Sequence, residues 1–395
     1  MRIIGIMSGT SHDGIDVAAA DFAHTDGVLR LTPLGDLSVE LSSDRDPRLR
    51  EAVIAALPPA KTTVGDVCEL DTRLGRAFGA AAARGLAELC DGRADLVVSH
   101  GQTVFHWVEG GTAHGTLQLG QPAWIAAATG LPVLSDLRAA DIAAGGQGAP
   151  LVPVLDAGLL EPGQAALNIG GIANLTAVAA DGAVTAYDIG PGNALIDAAA
   201  RRHFGLAYDK GGALAVRGTV DEGLLARLLD EPYYRAPAPK STGKELFHGD
   251  YLDGLDWSGD PHDLLATLTE LTAATIAAAV ASHGSRVVFA SGGGVHNPLL
   301  RARIWARGEG RFELRETGEL GLPVDAKEAY AFALLGWLSA HGLPGALPEV
   351  TGASRAAVLG SFTAGAAGLR LPEALGEWAG RIEVVRDTEP PRPLT

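Results

Sequence analysis

The chain has 395 residues, 47% apolar and 20% charged, a globular composition too long for one ordinary core, so two domains are expected. Its formal net charge is −16 and no local basic stripe offsets it, which argues against nucleic acid as a partner. No run approaches the ~18 uninterrupted apolar residues of a membrane span, and Met1 to Met7 lack the basic start and long apolar stretch of a secretory signal, so a cytoplasmic protein with no membrane partner is expected.

Ile3–Met7 and Ile15–Phe22 read as two strands of a hairpin, with Leu31–Leu41 as a third strand. Their loop, Ser8-Gly9-Thr10-Ser11-His12-Asp13-Gly14, offers backbone N–H groups and hydroxyls to phosphate oxygens, or is an ordinary turn. Helices are predicted at about 46–57 and 64–90, the second carrying Cys68 and running up to Cys90. The spacing of these two cysteines suits no metal and reads as two reduced thiols. A buried strand, Asp95–Ser99, delivers His100-Gly101-Gln102-Thr103. Pro122–Thr129 is predicted helical, and Leu131–Leu134 is a strand leading to Ser135-Asp136-Leu137-Arg138 and Asp141. Such polar clusters after apolar strands provide the directional donors and acceptors a sugar requires. A lone histidine such as His100 is more often a satisfied structural residue than a catalyst, and Asp136, Arg138 and Asp141 are equally an ion-paired loop. Gly145–Pro150 is a breaker cluster and the candidate domain crossover.

The second half restarts the theme. Ala165–Ile169 is a strand, Gly170-Gly171 a turn, Asn174–Ala179 a returning strand, Ala183–Asp188 a third, and Ala194–Phe204 a helix, giving a weak internal repeat of pattern. Asp188 at the end of its strand, before Gly190-Pro191-Gly192-Asn193, sits where open α/β sheets bind ligands, and is a candidate general base. The alternative is helix capping, for which Asn193 is better placed. Pro239–Glu245 is a basic-polar loop that either reaches an anion or is a solvated turn. A long helix at 262–283 and a strand at 286–291 precede Ser291-Gly292-Gly293-Gly294-Val295-His296-Asn297. That turn ends where a helix starts near Pro298, a ready nucleotide contact. The last clear helix runs over 326–340, and Glu389–Pro393 reads as a frayed tail. Alternating strands and helices make the fold class α/β. No P-loop and no GxGxxG opens a helix.

Met7–Asp16 closely resembles the opening signature of the anhydro-N-acetylmuramic acid kinases. The resemblance continues in order through His100–Thr103, Ser135–Arg138, Gly145–Pro150, Asn168–Asn174, Asp188–Asn193, Asp209-Lys210-Gly211, Pro239–Glu245, Ser291–Asn297, Lys327–Phe332 and Thr351–Ser354, over nearly the whole chain. It implies the two-domain actin-like (ribonuclease H-like) ATPase fold with an interdomain cleft. The expected domains are 1–147, with 341–395 packing back on it, and 148–340; helices near 121–129 and 327–340 would be the connecting ones. The implied cofactors are ATP and Mg²⁺. Gly9, Thr10, Ser11, His12, Asp13, Gly14, Ile15 and Asp16 would form the first phosphate loop, and Gly170 and Gly171 the second. Gly292, Gly293 and Asn297 would form the adenosine motif, and Asp13 would contact the metal, directly or through water. Thr10, His100, Gln102, Asp136, Arg138 and Glu328 would contact the sugar, and Asp188 would be catalytic.

The implied reaction opens the 1,6-anhydro ring with water and phosphorylates O6, giving N-acetylmuramic acid 6-phosphate in cell-wall recycling; a homodimer is the implied assembly. Ile189, Gln121 and His12 depart from the family pattern. The competing readings are a conventional sugar kinase acting on a free hydroxyl and a nucleotide-switched actin- or chaperone-like protein.

Overall fold

The computed structural model describes residues 1–9, 12, 14–242, 246–255 and 257–385. In chain order the elements begin with β1 (Arg2–Met7), β2 (Gly14–Thr25), β3 (Val28–Glu40), α1 (Leu49–Ala56), α2 (Val64–Leu89) and β4 (Leu96–Ser99). Next come β5 (Gln102–Glu109), β6 (Thr112–Leu119), α3 (Pro122–Thr129), β7 (Val133–Ser135), α4 (Ala139–Ala143) and α5 (Pro153–Leu159). The middle holds β8 (Gln164–Ile169), β9 (Ile172–Val178), β10 (Val184–Pro191), α6 (Ala194–Phe204), α7 (Glu222–Leu229), α8 (Pro232–Arg235), α9 (Gly249–Asp253) and α10 (Pro261–Ser282). Then follow β11 (Val287–Ser291), α11 (Pro298–Gly308), β12 (Glu313–Glu316), α12 (Lys327–Ala340), α13 (Pro348–Thr351), β13 (Ser361–Thr363) and β14 (Arg381–Val384).

Two units result. Unit 1 takes Met1–Leu159 and everything described from Ala326 onward; unit 2 is Leu160–Asp325. The boundaries expected at 147/148 and 340/341 therefore lie at 159/160 and 325/326. The physical reason is α12. Gly5 of β1 lets the backbone of α12 approach so closely that a Cβ there would collide with the Ala329 carbonyl and lie 2.8 Å from the Ala333 nitrogen. Gly336 does the same against Val98 of β4. Trp337, Tyr330 and Phe332 of this helix are almost fully buried, so α12 is core to unit 1.

The seven-stranded sheet of unit 1 runs β13-β7-β4-β1-β2-β3-β14. β3–β2 and β2–β1 pair antiparallel, while β1–β4 and β4–β7 pair parallel. The five-stranded sheet of unit 2 runs β10-β9-β8-β11-β12, with β10–β9 and β9–β8 antiparallel and β8–β11 and β11–β12 parallel. Counting the five central strands of unit 1 in order of appearance, both sheets read 3-2-1-4-5. That shared order is the ribonuclease H-like topology, and the repeat visible in sequence as a pattern is a repeat of architecture.

On unit 1, α2 covers the sheet with Leu70, Leu74, Phe78 and Ala82, which pack on Ile4, Val17 and Val97. Its start is fixed by a capping box between Thr63 and Asp66. In unit 2, α10 is long and apolar enough by composition to cross a membrane, yet most of it is buried: Leu264, Leu268 and Leu271 of its first half cluster with Leu195, Leu224 and Leu228, and Ile276 and Val280 of its second half with Leu175 and Val288. The hairpin of β5 and β6 was not anticipated. Its register shifts twice, between Thr103 and Phe105 and between Trp107 and Val108, which erases the period-two alternation. The short strands β13 and β14 also escaped notice; they close the two edges of the unit 1 sheet. The predicted frayed tail at 389–393 lies outside the described residues.

Gly145–Pro150 is not a domain crossover but a turn inside unit 1. Asp141, 1% exposed, accepts from the Gly148 amide (2.8 Å) and from the Thr351 hydroxyl (2.7 Å), and the Gln147 amide donates to the Thr351 carbonyl (2.9 Å). The Ser354 hydroxyl donates to the Ala144 carbonyl (2.7 Å). The two motifs thus brace each other.

Candidate active site

In unit 1 the end of β4 presents His100 and Gln102. The His100 ring contacts Phe332 of α12 at 4.8 Å between centroids. Its Nδ1 lies 2.7 Å from the Gly101 carbonyl, which can only accept, so Nδ1 carries the proton. Nε2 then accepts from Arg138, at 3.0 Å from Nε and 2.8 Å from Nη2. Burial, then the Arg138 charge, pushes the imidazole pKa down to about 3, so the ring is neutral. Arg138 also donates to the Gly148 carbonyl at 2.7 Å. Burial lowers its own pKa to about 10, against the opposing pull of Glu328 and Asp141. The expected ion-paired loop of Asp136, Arg138 and Asp141 is therefore differently wired: the guanidinium binds His100 and Gly148, and Asp141 holds Gly148 and Thr351.

Glu328 opens α12. Burial raises its pKa, although Lys327 and Arg138 favour its charge. Behind it Lys327 forms a buried pair with Asp156, Nζ standing 3.0 Å from Oδ1. Asp136 is exposed, has φ 55°, and is raised in pKa by partial desolvation. A non-glycine residue in that left-handed region at a strand end is a local strain of the kind that gathers at sites. Gln102, 1% exposed, accepts from the Ser8 hydroxyl (2.8 Å) and donates to the Gly9 carbonyl (3.4 Å), tying β5 to the start of the first loop. Ser8 stands in the loop named from the sequence, but nothing in the sequence gives it a role of its own.

Of the first loop, Gly9 and His12 are joined by a backbone bond of 3.3 Å, and His12 has φ 55°. Gly14, Ile15 and Asp16 belong to β2, where Ile15 is a core residue. Thr10, Ser11 and Asp13 lie outside the described residues, as do 243–245 of the basic-polar loop. Among the described residues no group of three His, Cys, Asp or Glu side chains could hold a metal.

In unit 2 the strand register aligns Asp188, Asn174, Asn168 and Ser291 as one row across β10, β9, β8 and β11. Both glycine turns leave from this row at the carboxyl ends of β8 and β11, the edge where open α/β sheets take ligands. Gly292 (φ 80°) and Gly294 pack directly on Asn168 and Ile169, so only glycine fits there. Gly171 and Gly293 are exposed, and a Cβ at either would meet nothing closer than 4.0 Å, leaving room for an incoming group against the backbone. The Asn193 side chain donates to the carbonyls of Ile169 (3.2 Å) and Gly170 (3.1 Å) and makes no helix cap. Asn297 uses its side-chain oxygen to cap α11 at the Leu299 and Leu300 amides. The Asp188 carboxylate accepts the Thr242 amide at 3.0 Å. Tyr233, Lys240 and Thr242 around it were not linked to Asp188 in the sequence, because the contacts span some 50 residues.

A family model described as anhydro-N-acetylmuramic acid kinase matches residues 1–365. The chain is 58% identical over 381 residues to an anhydro-N-acetylmuramic acid kinase of Streptomyces avermitilis, covering 94% of this chain and 97% of the relative. It is 54% identical to that of Streptomyces coelicolor over 393 residues (98% and 99% covered). With that of Photobacterium profundum it shares 43% over 380 residues (91% and 98%). Among solved structures, a xylulose kinase from Rhodospirillum rubrum aligns over 85% of this chain and 90% of its own, at 14% identity and a TM-score of 0.41.

Proposed function

The chain belongs to the anhydro-N-acetylmuramic acid kinase family, and from that premise we propose that it opens the 1,6-anhydro bridge of its sugar while phosphorylating O6. Water attacks C1, the C1–O6 bond breaks, and O6 takes the phosphoryl group. The products are N-acetylmuramic acid 6-phosphate and ADP. Asp188 is the base that receives the proton of the attacking water as C1 gains oxocarbenium character. The observation that carries this role is its position: a carboxylate fixed by the Thr242 amide, in the sheet row from which the two glycine turns depart.

Bound ATP supplies the phosphoryl group, and Mg²⁺ offsets the charge that develops on it. The open backbone at Gly171 and Gly293 fits phosphate and nucleotide, together with Gly170 and Gly292. Gly9 to Asp16 would serve as the other phosphate loop, and Asp13 would contact the metal, directly or through water. His100, Gln102, Asp136, Arg138 and Glu328, with Thr10, recognise the sugar. A neutral His100 clamped by Arg138 is an orienting group and not a proton carrier at neutral pH. The same reading gives a cytoplasmic homodimer acting in cell-wall recycling.

Purified protein, Mg-ATP and the 1,6-anhydro sugar in ¹⁸O water provide the test, with free N-acetylglucosamine as comparison. A bridge-opened phosphosugar bearing ¹⁸O at C1 supports the reading. Product from the free sugar alone overturns the substrate and leaves an ordinary sugar kinase.

A further inference from the structure

β10 is the edge strand of the unit 2 sheet, so the peptide groups of Asp188 that face away from β9 need partners from elsewhere. They have them. The Asp188 amide donates to the Lys240 carbonyl (3.1 Å), and its carbonyl accepts from the Tyr233 hydroxyl (2.7 Å). Two residues further along, Thr242 donates its amide to the carboxylate. The segment that does this is itself anchored by the Lys240 ammonium, which donates to the carbonyls of Tyr233 (3.0 Å) and Tyr234 (3.2 Å) at the end of α8. That ammonium also lies 4.6 Å from the centre of the Tyr233 ring and 5.5 Å from that of Tyr187. The ladder register breaks between Asp188 and Gly190, where a side chain on Gly190 would reach the Tyr234 ring at 2.7 Å. A bulged edge strand would otherwise leave its carboxylate free to swing.

We propose that Tyr233 and Lys240 are positioning residues for Asp188: the tyrosine hydroxyl and the lysine-anchored 240–242 segment grip its peptide from both sides and aim its carboxylate. This rests on the reading of Asp188 as the base. It also gives residues 239–242, the described part of the basic-polar loop, a purpose other than anion binding or a solvated turn. The Thr242 amide hydrogen-bonds the carboxylate itself, so slack in the segment both loses that bond and misplaces the base.

The test compares Tyr233→Phe, Lys240→Met and Asp188→Asn, alone and combined, on the full-length enzyme with both substrates. Tyr233→Phe removes one oxygen atom and is expected to lower kcat by about tenfold to hundredfold, the cost of a carboxylate displaced by about an ångström, while KM for sugar and ATP stays near wild type. Lys240→Met is expected to do the same. In the Asp188→Asn background neither change lowers kcat further. Unchanged kcat, an effect on KM alone, or additive losses would each overturn the positioning role. Should Lys240→Met fail to fold by circular dichroism, Tyr233→Phe and its double mutant decide alone. An Asp188→Asn enzyme with wild-type kcat sinks the base assignment itself. An inactive Asp188→Asn beside a normal Tyr233→Phe sinks only the present inference.

Discussion

Arg138 donates to the Nε2 of His100 from two nitrogens, at 3.0 and 2.8 Å, with the imidazole 4% exposed. An imidazole gripped by a guanidinium on one side and by a carbonyl on the other has no place for a second proton.

The pH dependence of stability follows. The folded protein keeps His100 neutral down to about pH 3, whereas the unfolded chain protonates it below its ordinary 6.5. The unfolded state therefore binds more protons in that window, and stability falls as pH drops from 6.5 toward 3, by about 1.4 kcal/mol per unit at most. His100→Asn removes this slope. Denaturant titrations of both proteins at a series of pH values check it; parallel curves would contradict the account.

Lys327 and Asp156 form an ion pair with side chains 4% and 7% exposed. Replacing Lys327 with Met leaves a carboxylate buried without its countercharge, at an expected cost of about 3–5 kcal/mol. Adding Asp156→Leu should recover most of that loss, because the pair's attraction mainly offsets its desolvation. Thermal melts of the three variants decide, and a double variant as weak as the single one is the adverse result.

Gly5→Ala places a methyl group against the backbone of α12 at Ala329 and Ala333. Neither a strand nor a helix backbone yields easily, so a loss of about 1–3 kcal/mol or more is expected. The helix start carrying Glu328 moves with it. We expect a lowered melting temperature together with a raised KM for the sugar; a wild-type KM would show that Glu328 is not held from β1.

For Asp188→Asn, loss of the base should lower kcat by about 10²- to 10⁴-fold, with ATP affinity little changed. Isothermal titration with a non-hydrolysable ATP analogue checks the second half. Weakened nucleotide binding would indicate that Asp188 serves the nucleotide and not the attacking water.

Much of this architecture was legible in the chain. Pro122 before an apolar run and Gly130 after it delimit α3 as helix grammar requires, with Gly130 in the left-handed cap. Ala194–Phe204 is likewise bounded by Asn193 and Gly205. What stayed hidden had more than one cause. Phe105, Trp107 and Leu117 make β5 and β6 apolar on an exposed face, so hydrophobicity there does not report burial. α12 was legible as a helix but not as part of unit 1, since glycine-mediated contact between distant backbones has no local signature. The candidate residues Asp188 and Arg138 stood out by type and place, whereas Glu328 came from the family resemblance alone. Their supports, Tyr233, Lys240 and Thr351, are revealed only by pairing across long stretches of chain.

The discontinuity of unit 1 bears on how the chain is made. Unit 2 is one uninterrupted stretch, Leu160–Asp325, complete as soon as it has left the ribosome. Unit 1 must wait: its first 159 residues emerge early, but α12, which fills the back of β1 and β4, and the strands that close both sheet edges are translated last. The nascent N-terminal half therefore spends the translation of unit 2 with the surface destined for α12 uncovered. During that interval it is a natural client for a chaperone that shields apolar sheet faces.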